Sequence, residues 1–230
     1  MPPAARRAKS AGRPPRLSLE AVVAAATRIL ESEGSEKLSM RRLANELGSA
    51  PMAPYYYVRD KDELLLLVLE THAKSLPRPP LPADPRERLI ATATLLYELL
   101  AERSWIVEVL TGDDLVADSA LWFVEMMLGA AVDYGCTPEE AVTVYRTIWF
   151  YIVGNLTVRV HRERRRARGT EVYEEHAIGA VPASTHPHLA TVAQRWAELT
   201  ARDSHREGLT AIVDGMLTAR RAAPGDAAAD

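Results

Sequence analysis

The chain has 230 residues, is 47% hydrophobic and 26% charged, and sets 28 Lys and Arg against 31 Asp and Glu for a net charge of −3. That is an ordinary globular composition, enough for one large domain or two small ones. A single cysteine, Cys136, excludes an intrachain disulfide framework and any multi-thiolate metal site. No apolar run approaches the roughly 18 residues of a membrane helix. The basic N-terminus lacks the apolar core and cleavage site of a signal peptide. A cytoplasmic protein without membrane contact is therefore expected.

Residues 1–17 carry five basic side chains and no acid, and are rich in Pro and Ala, which predicts a flexible basic arm. Residues 1–63 have a net charge of +3 and the remainder −6, so a polyanion partner would be met from one end. Ser18 caps a first helix in which Val22, Val23, Ala26, Ile29 and Leu30 recur at helical spacing until Gly34. Ser39 caps a second, short helix with the apolar stripe Met40, Leu43, Ala44 and Leu47, closed by Gly48. Pro51, Pro54 and three consecutive tyrosines then mark a short segment, and Asp60 caps a longer helix to about Ser75. The proline-rich run 76–85 reads as a linker.

Beyond the linker the periodic stretches all have helical length: about 85–102, 104–111, 118–134, 138–167, 187–200 and 205–221. No run alternates with period two between turn signals, so the expected fold class is all-α. Residues 169–185 read as a loop and 222–230 as a frayed tail. The expected domains are 18–76, with the connecting helix, and 85–221.

From Met40, Ala44 is the fifth position and Gly48 the ninth. A small residue there lets two helices cross closely and the glycine takes the tight turn, which is the spacing of a helix-turn-helix. The following helix, about Ala50–Val58, would enter the major groove. The stretch Leu38-Ser-Met-Arg-Arg-Leu-Ala-Asn-Glu-Leu-Gly48, with Tyr55-Tyr-Tyr-Val58 and Asp60-Lys-Asp-Glu-Leu-Leu65, resembles the DNA-binding region of tetracycline-repressor (TetR) family regulators. The segments Pro138–Val142 and Gly208–Gly215 resemble the C-terminal domain of that family's tetracycline-repressor-like branch.

The resemblance implies a homodimer that binds a palindromic double-stranded operator and releases it when a small-molecule effector enters the C-terminal domain. It places Arg41, and beside it Arg42, at the base-reading start of the second helix, with Ser39 adding a hydroxyl or backbone contact. It places Ala50, Pro51 and Met52 on the first turn of the recognition helix, and Tyr55, Tyr57 and Lys61 on phosphates. An Arg fork suits guanine, and tyrosine hydroxyls and ammonium groups suit phosphate oxygens. Because Ala50–Ala53 offers few hydrogen-bonding groups, specificity would lean on apolar contacts, Arg41, Tyr56 and DNA shape. The plainer reading of the arginines is a solvated helix face, and of the tyrosines one exposed ring and two packed ones. Arg13 and Arg16, in Gly-Arg-Pro-Pro-Arg, either follow an A·T minor groove or belong to an unstructured tail. Pro54 stands where an aliphatic residue is usual, and a 3₁₀-like start to the recognition helix is one consequence.

In the larger domain Trp122, Met126 and Gly129 share a line, and Tyr145 and Trp149 lie on one stripe of the long helix. Together with Trp105 and the lone polar Asn155 they either line an apolar ligand pocket or fill a core. The long helix is apolar all round and needs two covers. A second copy is one of them, with Ile148, Tyr151, Val158, Leu209, Ile212, Val213 and Met216 as candidate dimer contacts. No phosphate loop, metal-ligand spacing or nucleophile–base pair appears, so no cofactor, metal or catalytic residue is expected. The expected function is a ligand-responsive transcriptional repressor with a largely apolar effector. The alternative is a helical small-molecule-binding or interaction protein without sequence-specific DNA binding.

Overall fold

The computed structural model describes residues 17–112, 115–167 and 177–221, and every regular element among them is helical. Arg13 and Arg16 lie outside these residues, as do most of the predicted arm, part of the 169–185 loop and the tail. The chain divides into two compact units, Met1–Leu64 and Leu65–Asp230.

The first unit holds α1 (Leu19–Glu33), α2 (Met40–Glu46) and a 3₁₀ segment, Ala53–Tyr56. Side-chain caps begin the helices as the sequence suggests. Ser18 Oγ accepts from Ala21 N at 3.2 Å and Ser39 Oγ from Arg42 N at 3.1 Å, each satisfying an amide that the helix start leaves open. Gly34 and Gly48 end α1 and the α2 turn with φ of 88° and 59°, a region that costs other residues strain. Val22, Ala26, Ile29, Leu30, Leu43 and Ala44 are all at most 1% exposed and form the core of this unit.

Between α2 and α3 (Lys61–Lys74) the expected recognition helix is not an α-helix. Ala53 N bonds Ala50 O, Tyr55 N bonds Met52 O and Tyr57 N bonds Pro54 O, a run of tight three-residue closures. Pro51 and Pro54 supply no amide protons, so the wider α pattern loses donors at two of its first positions. The Pro54 ring is buried, taking the packing place expected of an aliphatic residue.

α3 starts in the first unit, where Asp60 Oδ1 accepts from Glu63 N at 2.8 Å, and continues into the second. The division thus falls inside α3 and not in the proline-rich run 76–85, because Leu65, Val68, Leu69 and Ala73 are buried. The second unit adds α4 (Pro85–Glu102), α5 (Ser104–Gly112), α6 (Leu121–Tyr134) and α7 (Pro138–Ala167). α8 (Pro187–Val192), α9 (Trp196–Ala201) and α10 (His205–Arg221) follow. The single helix expected over 187–200 is broken by a 3₁₀ turn at Ala193–Arg195, and neither half buries a residue that would hold it straight.

α7 runs 30 residues and buries Ala141, Val144, Ile148, Ile152 and Leu156 on one face. α4, α5, α6 and α10 pack against it. α10 contributes Leu209, Val213 and Leu217, all at most 1% exposed. Arg86 at the start of α4 grips Asp214 of α10 with two bonds, at 2.5 and 2.8 Å. α10 approaches α7 through Gly208, where an added Cβ would stand 2.0 Å from the Tyr151 hydroxyl oxygen. Gly208→Ala is therefore expected to cost about 1–3 kcal/mol by overpacking. Adding Tyr151→Ala should recover most of that loss in a double-mutant cycle followed by urea unfolding.

Candidate functional site

On the first unit the exposed groups converge on the α2 start and the Ala53–Tyr56 turn. Arg41 is exposed and has no hydrogen-bond or ion-pair partner among the described residues. Arg42, one position on, is spent internally: it bonds Glu33 at 2.6 Å, which ties α2 to α1, and Glu46 within α2 at 3.0 Å, and both hold its guanidinium more firmly protonated. Its expected outward contact is thus replaced by a structural one, because residues 41 and 42 lie about 100° apart on the helix and only one faces α1.

Ala50 and Pro51 are exposed, Met52 is 64% exposed and Tyr56 86%. Tyr55 and Tyr57 are also open, so all three tyrosines reach solvent, where the plainer reading had one exposed ring and two packed ones. The Tyr57 hydroxyl donates to the Leu17 carbonyl at 2.5 Å and Lys61 Nζ to the Ser35 carbonyl at 3.4 Å. Ser39 spends its oxygen on the α2 cap. Exposed phenols, an exposed thioether and an unpaired guanidinium at the α2 start can make apolar contacts and bidentate hydrogen bonds to a polyanion.

The second unit encloses a cavity of about 260 Å³. α3 lines it with Leu69, His72 and Ala73, α4 with Leu96, Leu99 and Leu100, and α7 with Tyr145, Arg146 and Trp149. The α5–α6 segment closes it through Leu115, Val116, Ala117 and Ala120. Its polar groups are therefore few: His72, Tyr145 and Arg146. Burial pushes the Tyr145 hydroxyl pKa up.

Of the expected pocket residues, Tyr145 and Trp149 line this cavity, but Trp105, Trp122 and Met126 do not. Trp105 is buried core, 3% exposed. On α6 the inward residues are Phe123 and Met127, so the Trp122–Met126 line is rotated away by one residue; Trp122 stands edge-on to Phe123 beneath the Arg78 guanidinium. Asn155 sits elsewhere, accepting from the Tyr97 hydroxyl at 2.7 Å. The α3 and α4 lining residues escaped the sequence reading because their apolar spacing is the same whether a core is filled or hollow.

Ser119 joins the cavity wall to α3. Glu70 accepts from Ser119 Oγ at 2.6 Å and from Ser119 N at 3.0 Å, while the Arg78 guanidinium donates to the Ser119 carbonyl at 3.2 Å. Among the candidate dimer residues, Ile148, Leu209 and Val213 are sealed inside one chain and no partner can reach them. Tyr151, Ile212 and Met216 are half-buried and Val158 is exposed. Val142, Phe150 and Val158 form an apolar set at 48–58% exposure on the outer face of α7. No group of three or more His, Cys, Asp or Glu among the described residues could hold a metal ion, and no helix there is long and apolar enough to cross a membrane.

The family model for the tetracyclin repressor-like C-terminal domain matches residues 78–220. The HTH-type transcriptional repressor DrrR1 of Streptomyces coeruleorubidus is 34% identical over 164 residues, 70% of this chain; the chain spans 61% of that relative's length. The class E tetracycline repressor protein of Escherichia coli is 25% identical over 209 residues, 87% of this chain and 91% of its own. Among solved structures, Streptomyces coelicolor ActR in complex with actinorhodin superposes with a TM-score of 0.71 at 24% identity, covering 93% of this chain and 100% of that one. BioQ with its double-stranded DNA operator superposes at 0.62 and 23% identity, covering 88% and 99%. These structures share the fold.

The Ser119 hydroxyl, followed by its amide, holds the Glu70 carboxyl pKa below the usual carboxylate value. A carboxylate with a lowered folded pKa contributes stability that is present above its unfolded pKa and is lost as pH falls through the folded one. Ser119→Ala should raise the Glu70 pKa toward its ordinary value in a carbon-13 NMR titration, and so shift acid loss of this contribution to higher pH.

Proposed function

Because the chain belongs to the tetracycline-repressor family of transcriptional regulators, we propose that it is a cytoplasmic repressor that binds a palindromic operator as a homodimer. A small, largely apolar effector entering the second unit's cavity releases it. The observation that carries this reading is the exposure of Arg41 at the α2 start and of Met52, Tyr55 and Tyr56 on the turn that follows. Large side chains held in water on a tight turn gain nothing for the fold, whereas on DNA they meet thymine methyls, sugars and phosphates. Arg41 is the base-reading donor. Met52 and Tyr56 give apolar and shape readout, and Tyr55 and Lys61 hold the phosphate backbone, while the Tyr57 hydroxyl proton is given to the Leu17 carbonyl. Pro54 is buried in the first unit, although with Pro51 it leaves the recognition segment a 3₁₀ turn and not an α-helix.

The homodimer uses the outer face of α7, with Tyr151, Phe150 and Val158, and Ile212 and Met216 of α10. Two recognition turns must then lie about 34 Å apart to enter successive major grooves. The effector acts by population shift: it favours whichever arrangement of the cavity wall fits it. Leu69 and Ala73 line the cavity and Glu70 grips Ser119, which stands between the lining residues Ala117 and Ala120, so a shift of the wall moves α3. The same helix runs on into the DNA-binding unit and changes the separation of the recognition turns.

Selection of the purified protein against random duplexes, with binding followed as salt is raised, tests this directly. A palindromic consensus with two half-sites is the expected result; weak, salt-sensitive binding to every duplex would overturn it. On the selected duplex Arg41→Ala should lose about 1–3 kcal/mol, with little change on scrambled DNA. Tyr56→Ala should weaken operator binding while leaving thermal stability within about 0.5 kcal/mol, as its ring packs against little in the free protein.

A further inference from the structure

The apolar cavity of the second unit, proposed above as the effector site, has one permanently charged side chain on its lining and no carboxylate among the described lining residues. That charge is Arg146, an exposed residue at the edge of the lining. Its guanidinium lies 4.6 Å from the centroid of the Phe150 ring, one turn further along α7. Stacking engages a face of the guanidinium and leaves its in-plane N–H groups to donate. No ion pair or hydrogen bond among the described residues takes them.

Tyr145, the preceding residue, is half-buried on the same lining, and its hydroxyl also makes no hydrogen bond among the described residues. Burial pushes the Tyr145 hydroxyl pKa up while the Arg146 charge pulls it down, so phenol and guanidinium lie within each other's field. A pure hydrocarbon in the cavity would leave the phenol O–H shut away from water without an acceptor, which costs affinity; an anion satisfies both donors. The rest of the wall is aliphatic and aromatic, with Phe123 and Trp149 standing among Leu69, Leu96 and Leu99. Rigid rings meet such a wall edge-on or offset and lose less rotamer freedom there than a flexible chain does. The volume of about 260 Å³ exceeds the roughly 150 Å³ of a cavity that takes up benzene, which leaves room for a second fused ring.

We infer that the ligand of this cavity is a compact aromatic acid, an inference that rests on the effector reading given above. About two fused rings lie among the leucines, Phe123 and Trp149, and the carboxylate takes the Arg146 fork and the Tyr145 hydroxyl. A planar guanidinium matches a carboxylate with two parallel bonds, and the phenol adds a third. With the cation at the edge of the lining, the anion stays beside solvent while the rings are buried, so it avoids the desolvation that a carboxylate deep among leucines would suffer. Phe150 is one of the side chains assigned above to the partner copy. The inference uses it only as the ring beside Arg146 in its own chain, whether or not a partner covers its outer face.

The probe is 2-naphthoate, titrated calorimetrically into the full-length protein in its solution oligomeric state, with neutral 2-naphthamide for comparison. One naphthoate per chain is expected, with the amide at least about tenfold weaker, the worth of a charge-assisted contact. Arg146→Gln should bring the acid down to the affinity of the amide without moving the thermal midpoint, since an exposed side chain without an ion pair holds little of the fold. Tyr145→Phe should weaken the acid several-fold, and Arg165→Gln, exposed further along α7, should change nothing. Four outcomes overturn the inference: equal affinity for acid and amide, an Arg146→Gln variant that keeps the wild-type preference, an equal loss in Arg165→Gln, or no binding of naphthoate. The effector reading is scored separately, by release of the selected duplex. Naphthoate that binds through Arg146 but leaves the duplex bound supports the acid and defeats the effector reading; an amide that binds as well as the acid and releases the duplex does the reverse.

Discussion

The packing of α7 governs the second unit. Thirty residues long and apolar around most of its circumference, it can be covered by its own chain on one face only. Ala141, Val144, Ile148, Ile152 and Leu156 take that cover from the helices around it. The bordering residues then decide what the protein can do. On one side Tyr145 and Trp149 wall the apolar cavity; on the other Asn155 accepts from Tyr97 of α4; Phe150 and Val158 stay in water. A helix with this much uncovered apolar surface favours association, because burying such area is the dominant gain in forming an interface.

The two halves of α7 differ in chemistry. The N-terminal half of α7 is apolar with one arginine facing the cavity, Arg146. The C-terminal half is a run of arginines, which suits the negative end of the helix. The family's effector reading attaches to the first half. The second half has a local electrostatic reason to exist, the negative end of the helix.

The first unit shows how neighbouring residues of one type diverge. Arg41 and Arg42 are adjacent and chemically identical, yet one is unpaired and the other is fixed between Glu33 and Glu46. The same separation appears in the tyrosine run: Tyr57 is anchored to Leu17 while Tyr56 stands clear of the fold. Two prolines set that geometry by removing amide donors, converting a helical turn into a 3₁₀ one that spreads consecutive side chains further apart.

What the sequence determined by itself is local. The caps at Ser18, Ser39 and Asp60, the stops at Gly34 and Gly48, the start of α7 at Pro138 and the all-helical periodicity each rest on bonds spanning a few residues, so a linear pattern suffices to read them. The helix-turn-helix spacing belongs to the same class. Only the tertiary structure decided which residues of an apolar stripe are core, wall or surface. Ile148, Leu209 and Val213 were as good a dimer seam as any by spacing, and became core because α10 folds onto α7 from the far end of the chain. Trp105 and Trp122 lost the cavity to Leu96 and Phe123 for the same reason. A side chain's periodicity fixes its direction from its own helix axis; what lies in that direction depends on residues such as Asp214, which reaches Arg86 across 128 positions.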